Sequence, residues 1–118
     1  MSDCLFCKIA AGEIPAKKIF EDDDVIAFHD IHPVAPVHFL VVPKVHVDSL
    51  AHATAEHQAV LGKMLLLTAK LAKEQGLDDG YRTIINTGHG GGQTFFHLHM
   101  HVIGGKPLTT NISDITTQ

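Results

Sequence analysis

No apolar run in the sequence approaches the ~20 residues that a membrane helix needs, which excludes a helical membrane span. Residues 1–4 carry neither the basic start nor the apolar core of a secretory leader, and this points to a cytoplasmic protein. Cysteine is scarce. Two residues, Cys4 and Cys7, cannot build a disulfide framework, and in a reducing compartment a pair at this spacing more often binds metal or does redox chemistry. Positive charge is also in short supply: nine Lys and Arg against 13 Asp and Glu leave a formal net charge of −4, without the basic stripe of a nucleic-acid binder. Tryptophan is absent, and there is no internal repeat or low-complexity tract. The 118 residues, 45% hydrophobic and 19% charged, suit one globular domain.

What the sequence has in excess is histidine, at ten residues. Histidine serves near neutral pH as base, nucleophile or metal ligand, so the placement of the ten matters more than their number. Residues 4–11 mix apolar and small side chains and predict one or two helical turns, ended by Gly12 and Pro15. Strands are predicted at 18–21 and 25–28, joined as a hairpin by the turn Asp22-Asp23-Asp24, which reads as solvated. Pro36 and Pro43 bound a buried strand at 38–42. From 54 to 75 the period becomes helical, with Val60, Leu61, Met64, Leu67 and Leu71 on one face, Thr54 as cap and Gly76 as stop. Two more strands follow at 81–86 and 95–103. This order predicts an α+β fold: an antiparallel sheet of about five strands with one long and one short helix. A polar tail ends the chain, leaving 1–108 as the domain and 109–118 outside it.

In the last strand, period-two alternation sets Phe96, Leu98, Met100 and Val102 on one face and His97, His99 and His101 on the other. Three imidazoles in register allow three chemistries: an open zinc site, a phosphate-binding surface, or a histidine that attacks phosphorus while its neighbours neutralise the phosphoryl charge. The preceding Gly90-Gly91-Gly92-Gln93-Thr94 favours phosphorus, because it brings backbone N–H groups, an amide and a hydroxyl to the mouth of the histidine face. His38 is a candidate partner for the three. His29, His32, His52, His57 and His89 read as surface or loop residues.

His97-Leu98-His99-Met100-His101-Val102-Ile103 resembles the signature of the histidine triad family. Around it, Phe20-Glu21-Asp22-Asp23, Ala27-Phe28-His29-Asp30-Ile31, Ala35-Pro36-Val37-His38-Phe39-Leu40-Val41-Val42-Pro43-Lys44, Gly80-Tyr81-Arg82 and Gly91-Gly92-Gln93-Thr94 are similar to its Hint branch, the purine nucleoside phosphoramidases. The resemblance implies that His99 is the nucleophile that forms a nucleotidyl-histidine intermediate, that His101 binds the phosphoryl oxygens and that His97 supports the array. It sets Thr94, where family members usually have Ser, at the leaving group. Asp30 would hold the ribose hydroxyls, with Ile31 and Phe28 beside the base, and Asn86, Gly92 and Gln93 on the phosphate side. Cys4, Cys7, His46 and His97 match a structural zinc set of some members. The substrate implied is an AMP-like purine nucleotide, and the assembly a homodimer whose long helices and following strands join two sheets into one of ten strands.

Overall fold

Every residue from Val25 to Phe28 is buried, which one-sided alternation cannot produce. The reason is a sheet covered on both faces. The computed structural model describes residues 4–108 and contains α1 (Leu5–Ala10), β1 (Lys18–Glu21), β2 (Val25–His29), β3 (Val37–Pro43), α2 (Gln58–Glu74), β4 (Tyr81–Ile84) and β5 (Met100–Gly104). The strands form one sheet in the order β1-β2-β3-β5-β4, every neighbouring pair antiparallel. The α+β architecture is the one predicted. The tail at 109–118 lies outside the described residues.

On one face Val25, Ala27, Phe39, Val41, Met100 and Val102 pack against Met64, Leu67 and Leu71 of α2. On the other, Ile26, Phe28, Leu40 and Val42 meet Phe6 and Ile9 of α1. The short helix therefore closes the second face of the sheet, a job that its length alone does not reveal. It begins where the Cys4 Sγ accepts the N–H of Cys7 at 3.3 Å.

The long helix starts as Thr54 and His57 cap each other: the Thr54 hydroxyl accepts from Glu56 N–H at 3.3 Å, and His57 Nδ1 accepts from Thr54 N–H at 2.9 Å. Residues 55–57 are a 3₁₀ turn, so the predicted helix at 54–75 is regular only from Gln58. The acidic turn is more than solvated. Asp22 Oδ1 accepts from the N–H groups of Asp24 and Val25, both at 2.9 Å, and the other oxygen pairs with Lys63 of α2. Lys63 holds the Asp22 carboxyl at about 2.

The last two strands are shorter than predicted. β4 stops at Ile84, opposite His101, and the ladder with β3 ends at Met100, opposite Val41, so residues 95–99 lie outside both ladders. They are tied sideways instead, Leu98 N–H donating to the carbonyl of Val47 at 2.7 Å. Regular strand begins only at Met100. The alternation survives nonetheless, with Leu98, Met100 and Val102 buried in the core; Phe96 is the exception and packs at a tilt against His89, centroids 4.8 Å apart.

Candidate active site

β2, β3 and β5 lie side by side, and their side chains facing away from α2 form a row: Asp30 just past β2, His38 on β3 and His101 on β5. Val34 N–H donates to His38 Nδ1 at 3.1 Å, which puts the proton of the neutral ring on Nε2. His38 Nε2–H then donates to His101 Nδ1 at 3.0 Å, leaving the His101 proton on its own Nε2. Burial holds the His38 pKa below its usual value, against the opposing pull of Asp30, and so favours the neutral ring.

His99 is fixed by its own backbone. Its Nδ1–H donates to the carbonyl of His97 at 2.8 Å, so the neutral ring is the tautomer with its lone pair on Nε2. The ring is 3% exposed and packs edge-on against Phe6, centroids 5.0 Å apart, with His101 at the same distance. Phe6 also meets His97 and Phe28.

His97 turns the other way, into a second cluster. Its Nε2–H donates to the Pro43 carbonyl at 2.7 Å, and Nδ1 faces the thiols of Cys4 at 3.2 Å and Cys7 at 3.4 Å. His46 repeats the pattern: Nε2–H donates to Asp48 Oδ1 at 2.7 Å while Nδ1 meets the Cys7 thiol at 3.3 Å. One donor atom from each of the four residues lies within 4.8 Å of the others. Two imidazoles with their protons committed outward and two thiols facing inward make a Cys₂His₂ set that fits a tetrahedral metal ion. Burial lowers the His97 pKa, which favours the neutral, ligating form. Burial, with the Cys4 thiol beside it, pushes Cys7 up to about 11, so a metal must displace that proton.

The glycine loop is tied largely to itself. The N–H groups of Gly91 and Gln93 both donate to the Gly88 carbonyl and that of Gly92 to His89, so these amides are engaged rather than bare. Gln93 is 1% exposed: its Oε1 accepts from Gly88 N–H at 2.8 Å, and its Nε2 donates to the carbonyls of Asp48 and Phe95 at 2.7 and 2.9 Å. Its side chain shapes the loop. Thr94 and Gly92 are exposed and Asn86 is half-buried. At the end of β2, Phe28 is buried while Ile31 is 84% exposed. Asp30 Oδ1 accepts from His32 N–H at 2.7 Å, and its side chain is only 2% exposed.

A model of the HIT domain matches residues 11–108. The chain belongs to the HIT family. Protein HitA of Neisseria gonorrhoeae is 59% identical over 104 residues, covering 88% of this chain and 97% of that protein. A purine nucleoside phosphoramidase of Escherichia coli (strain K12) is 44% identical over 107 residues, 90% of each. The crystal structure of a HIT family hydrolase from Legionella pneumophila Philadelphia 1 superposes with a TM-score of 0.90 at 44% identity, covering 92% of this chain and 98% of that one. That of a Zn-bound histidine triad family protein from Mycobacterium smegmatis gives 0.76 at 36% identity, covering 94% and 78%. With such relatives along most of its length the chain is a HIT family hydrolase.

The HIT motif thus divides its labour: His99 and His101 share one cluster, and His97 belongs by its ring to the other. Three contributors were not predicted from sequence. Phe6, between the two cysteines, packs on His97 and His99; Asp48 orients His46; and the amide of Val34 sets the His38 proton. Only Phe6 leaves a sequence signal, as the aromatic residue inside the Cys4–Cys7 pair.

Proposed function

We propose that this HIT family hydrolase cleaves the P–N bond of purine nucleoside 5′-phosphoramidates through a nucleotidyl-His99 intermediate. The observation that carries the proposal is the hydrogen bond from His99 Nδ1 to the His97 carbonyl, which in the neutral ring sets the lone pair on Nε2, the tautomer a nucleophile needs. Nε2 attacks the α-phosphorus, the P–N bond breaks, and the leaving nitrogen takes a proton to depart as the amine. Water then attacks the same phosphorus, the bond to Nε2 breaks, and the nucleoside monophosphate leaves with His99 neutral again.

His101, with its proton on Nε2, is a donor suited to the phosphoryl oxygens as their charge grows. Exposed Thr94 offers its hydroxyl to the leaving nitrogen, with Asn86 and Gly92 on the phosphate side. Gln93 contributes through the loop shape rather than by its committed amide. The nucleoside lies along Phe28, Asp30 and Ile31, where Ile31 presents apolar surface to a base. The phosphoramidase named among the relatives supports the substrate class.

A structural zinc ion on Cys4, Cys7, His46 and His97 belongs to the same proposal, supported by the donor set and by the Zn-bound relative. It would supply a rigid cross-link behind the reacting histidines. So does pairing of two copies into a ten-stranded sheet: β4 is an edge strand, and Leu65 and Leu66 of α2 are 54% and 78% exposed. A cytoplasmic setting accords with two free thiols and with the absence, among the described residues, of any helix long and apolar enough to cross a membrane.

The test is intact-protein mass after acid quench during turnover of adenosine 5′-phosphoramidate. An adduct of one AMP on the wild type and none on His99→Ala is the expected result. AMP released at the wild-type rate by His99→Ala would overturn the proposal.

A further inference from the structure

Residues 46–48 run past three parts of the site, and each residue touches a different one. His46 turns its Nδ1 to the Cys7 thiol at 3.3 Å. The Val47 carbonyl accepts from Leu98 N–H at 2.7 Å, the shortest backbone hydrogen bond outside the helices and strands among the described residues. The Asp48 carbonyl accepts from Gln93 Nε2, also at 2.7 Å, and so holds the glycine loop. The segment itself is closed by the bond from His46 to the Asp48 carboxylate. Val47 and Leu98 are 5% and 1% exposed, so water does not compete for the bond between them. Residues 95–97 bend and belong to neither ladder of β5. The contact with Val47 therefore takes over where sheet pairing gives out.

The peptide held by Val47 is the one that orients the nucleophile. Leu98 N–H and the His97 carbonyl are the two ends of a single planar trans unit and point in opposite directions. With its N–H drawn to Val47, the unit turns its carbonyl the other way, where it accepts from His99 Nδ1–H at 2.8 Å. A half-turn of that plane would present the N–H to the His99 ring instead. A neutral ring that accepts at Nδ1 carries its proton on Nε2, where attack on phosphorus needs a lone pair. We infer that residues 46–48 are a positioning strap for the nucleophile: the Val47 carbonyl sets the plane of the 97–98 peptide and with it the tautomer of His99. This rests on the reaction proposed above. Val47 acts through a peptide and touches no reacting atom, and because it acts by its carbonyl the device belongs to the main chain.

The test replaces the amide between Val47 and Asp48 by an ester, with Asp48 supplied as its α-hydroxy acid. Every side chain is kept, while the Val47 carbonyl becomes a poorer acceptor. On adenosine 5′-phosphoramidate the expected result is a kcat loss on the order of 10-fold with KM little changed. ¹⁵N NMR of histidine-labelled protein should show the neutral His99 ring wholly as the Nδ1–H tautomer in the wild type and as a mixture of tautomers in the ester. An unchanged kcat, a rise in KM alone, or a kcat loss with His99 still wholly Nδ1–H would overturn the inference. If the ester does not fold, hydrogen exchange of the wild type decides. The Leu98 amide should then exchange as slowly as those of the β3–β5 ladder, and the rate of an open loop at that position would sink the idea. A wild type that forms no AMP adduct would defeat the phosphoramidase reading and leave the tautomer and exchange results to judge the strap.

Discussion

The two faces of the sheet are made by alternate residues of the same strands, yet they differ in kind. Under α2, Phe39, Val41, Met100 and Val102 meet a helix face of Met64, Leu67 and Leu71, a layer that contributes burial and little else. Under α1 the intervening positions carry His38 and His101, and the covering helix is six residues long with a thiol at its cap and another within it. The first face has a large lid, whose buried hydroxyl, Thr68, is satisfied within the helix by the Leu65 carbonyl. The second has a small lid and a chain of imidazoles, each of which needs a defined proton. The larger core lies on one side and the proposed chemistry on the other, where a smaller core of Phe6, Ile9, Ile26, Phe28, Leu40 and Val42 supports it.

That division can be broken most sharply at His99. His99→Ala should lower kcat on the order of 10⁴-fold or more, as loss of an enzyme nucleophile does, while the melting temperature stays near wild type. A large stability loss in the same variant would show that the two faces are not separable. The converse change is Leu71→Ala, which empties a 1% exposed position under α2. Denaturant unfolding should register a loss of about 2–5 kcal/mol, with activity per folded molecule unaltered. A smaller step is expected from the metal cluster. Zinc at a hundredfold excess over its Kd should stabilise the fold by about 2.7 kcal/mol relative to chelated protein, and Cys7→Ser should abolish most of that difference. Equal unfolding curves with and without zinc would remove the metal from the account.

The smallest effect is one of pH. The His38 pKa lies below its ordinary value of 6.5 in the folded state, so the unfolded chain binds the proton more readily. The stability it contributes is therefore full above about pH 6.5 and is lost as pH falls below that value. Thermal melts from about pH 8 to pH 5 should decline on the acid side, and His38→Asn should decline less. A steeper decline in the variant would reverse the sign.

How much of this could be read in the sequence follows the same division. The α2 face was legible because its signals are periodic: Val60, Met64, Leu67 and Leu71 recur at helical spacing, and the hydrophobic strands are bounded by proline or an acidic turn. The histidine array was legible as a pattern, and the Cys4, Cys7, His46 and His97 gathered here are the set that the resemblance implied. What could not be read is direction. Nothing in the spacing says that residues 95–99 are tied to Val47 instead of to a strand, or that the Gln93 amide is consumed by the loop it was expected to leave. The burial of Asp30 likewise depends on which way one carboxylate turns after β2, a matter of a single torsion and its neighbours.

The bond that orients His99 spans only two residues of its own chain. A device this short travels with the peptide that contains it, and beyond it the ring packs on Phe6 and His101. Substitutions elsewhere can thin the population of folded molecules long before they turn that ring. Across a random library of variants, loss of total activity should therefore track loss of folded protein, and specific activity should stay nearly level until the fold itself gives way.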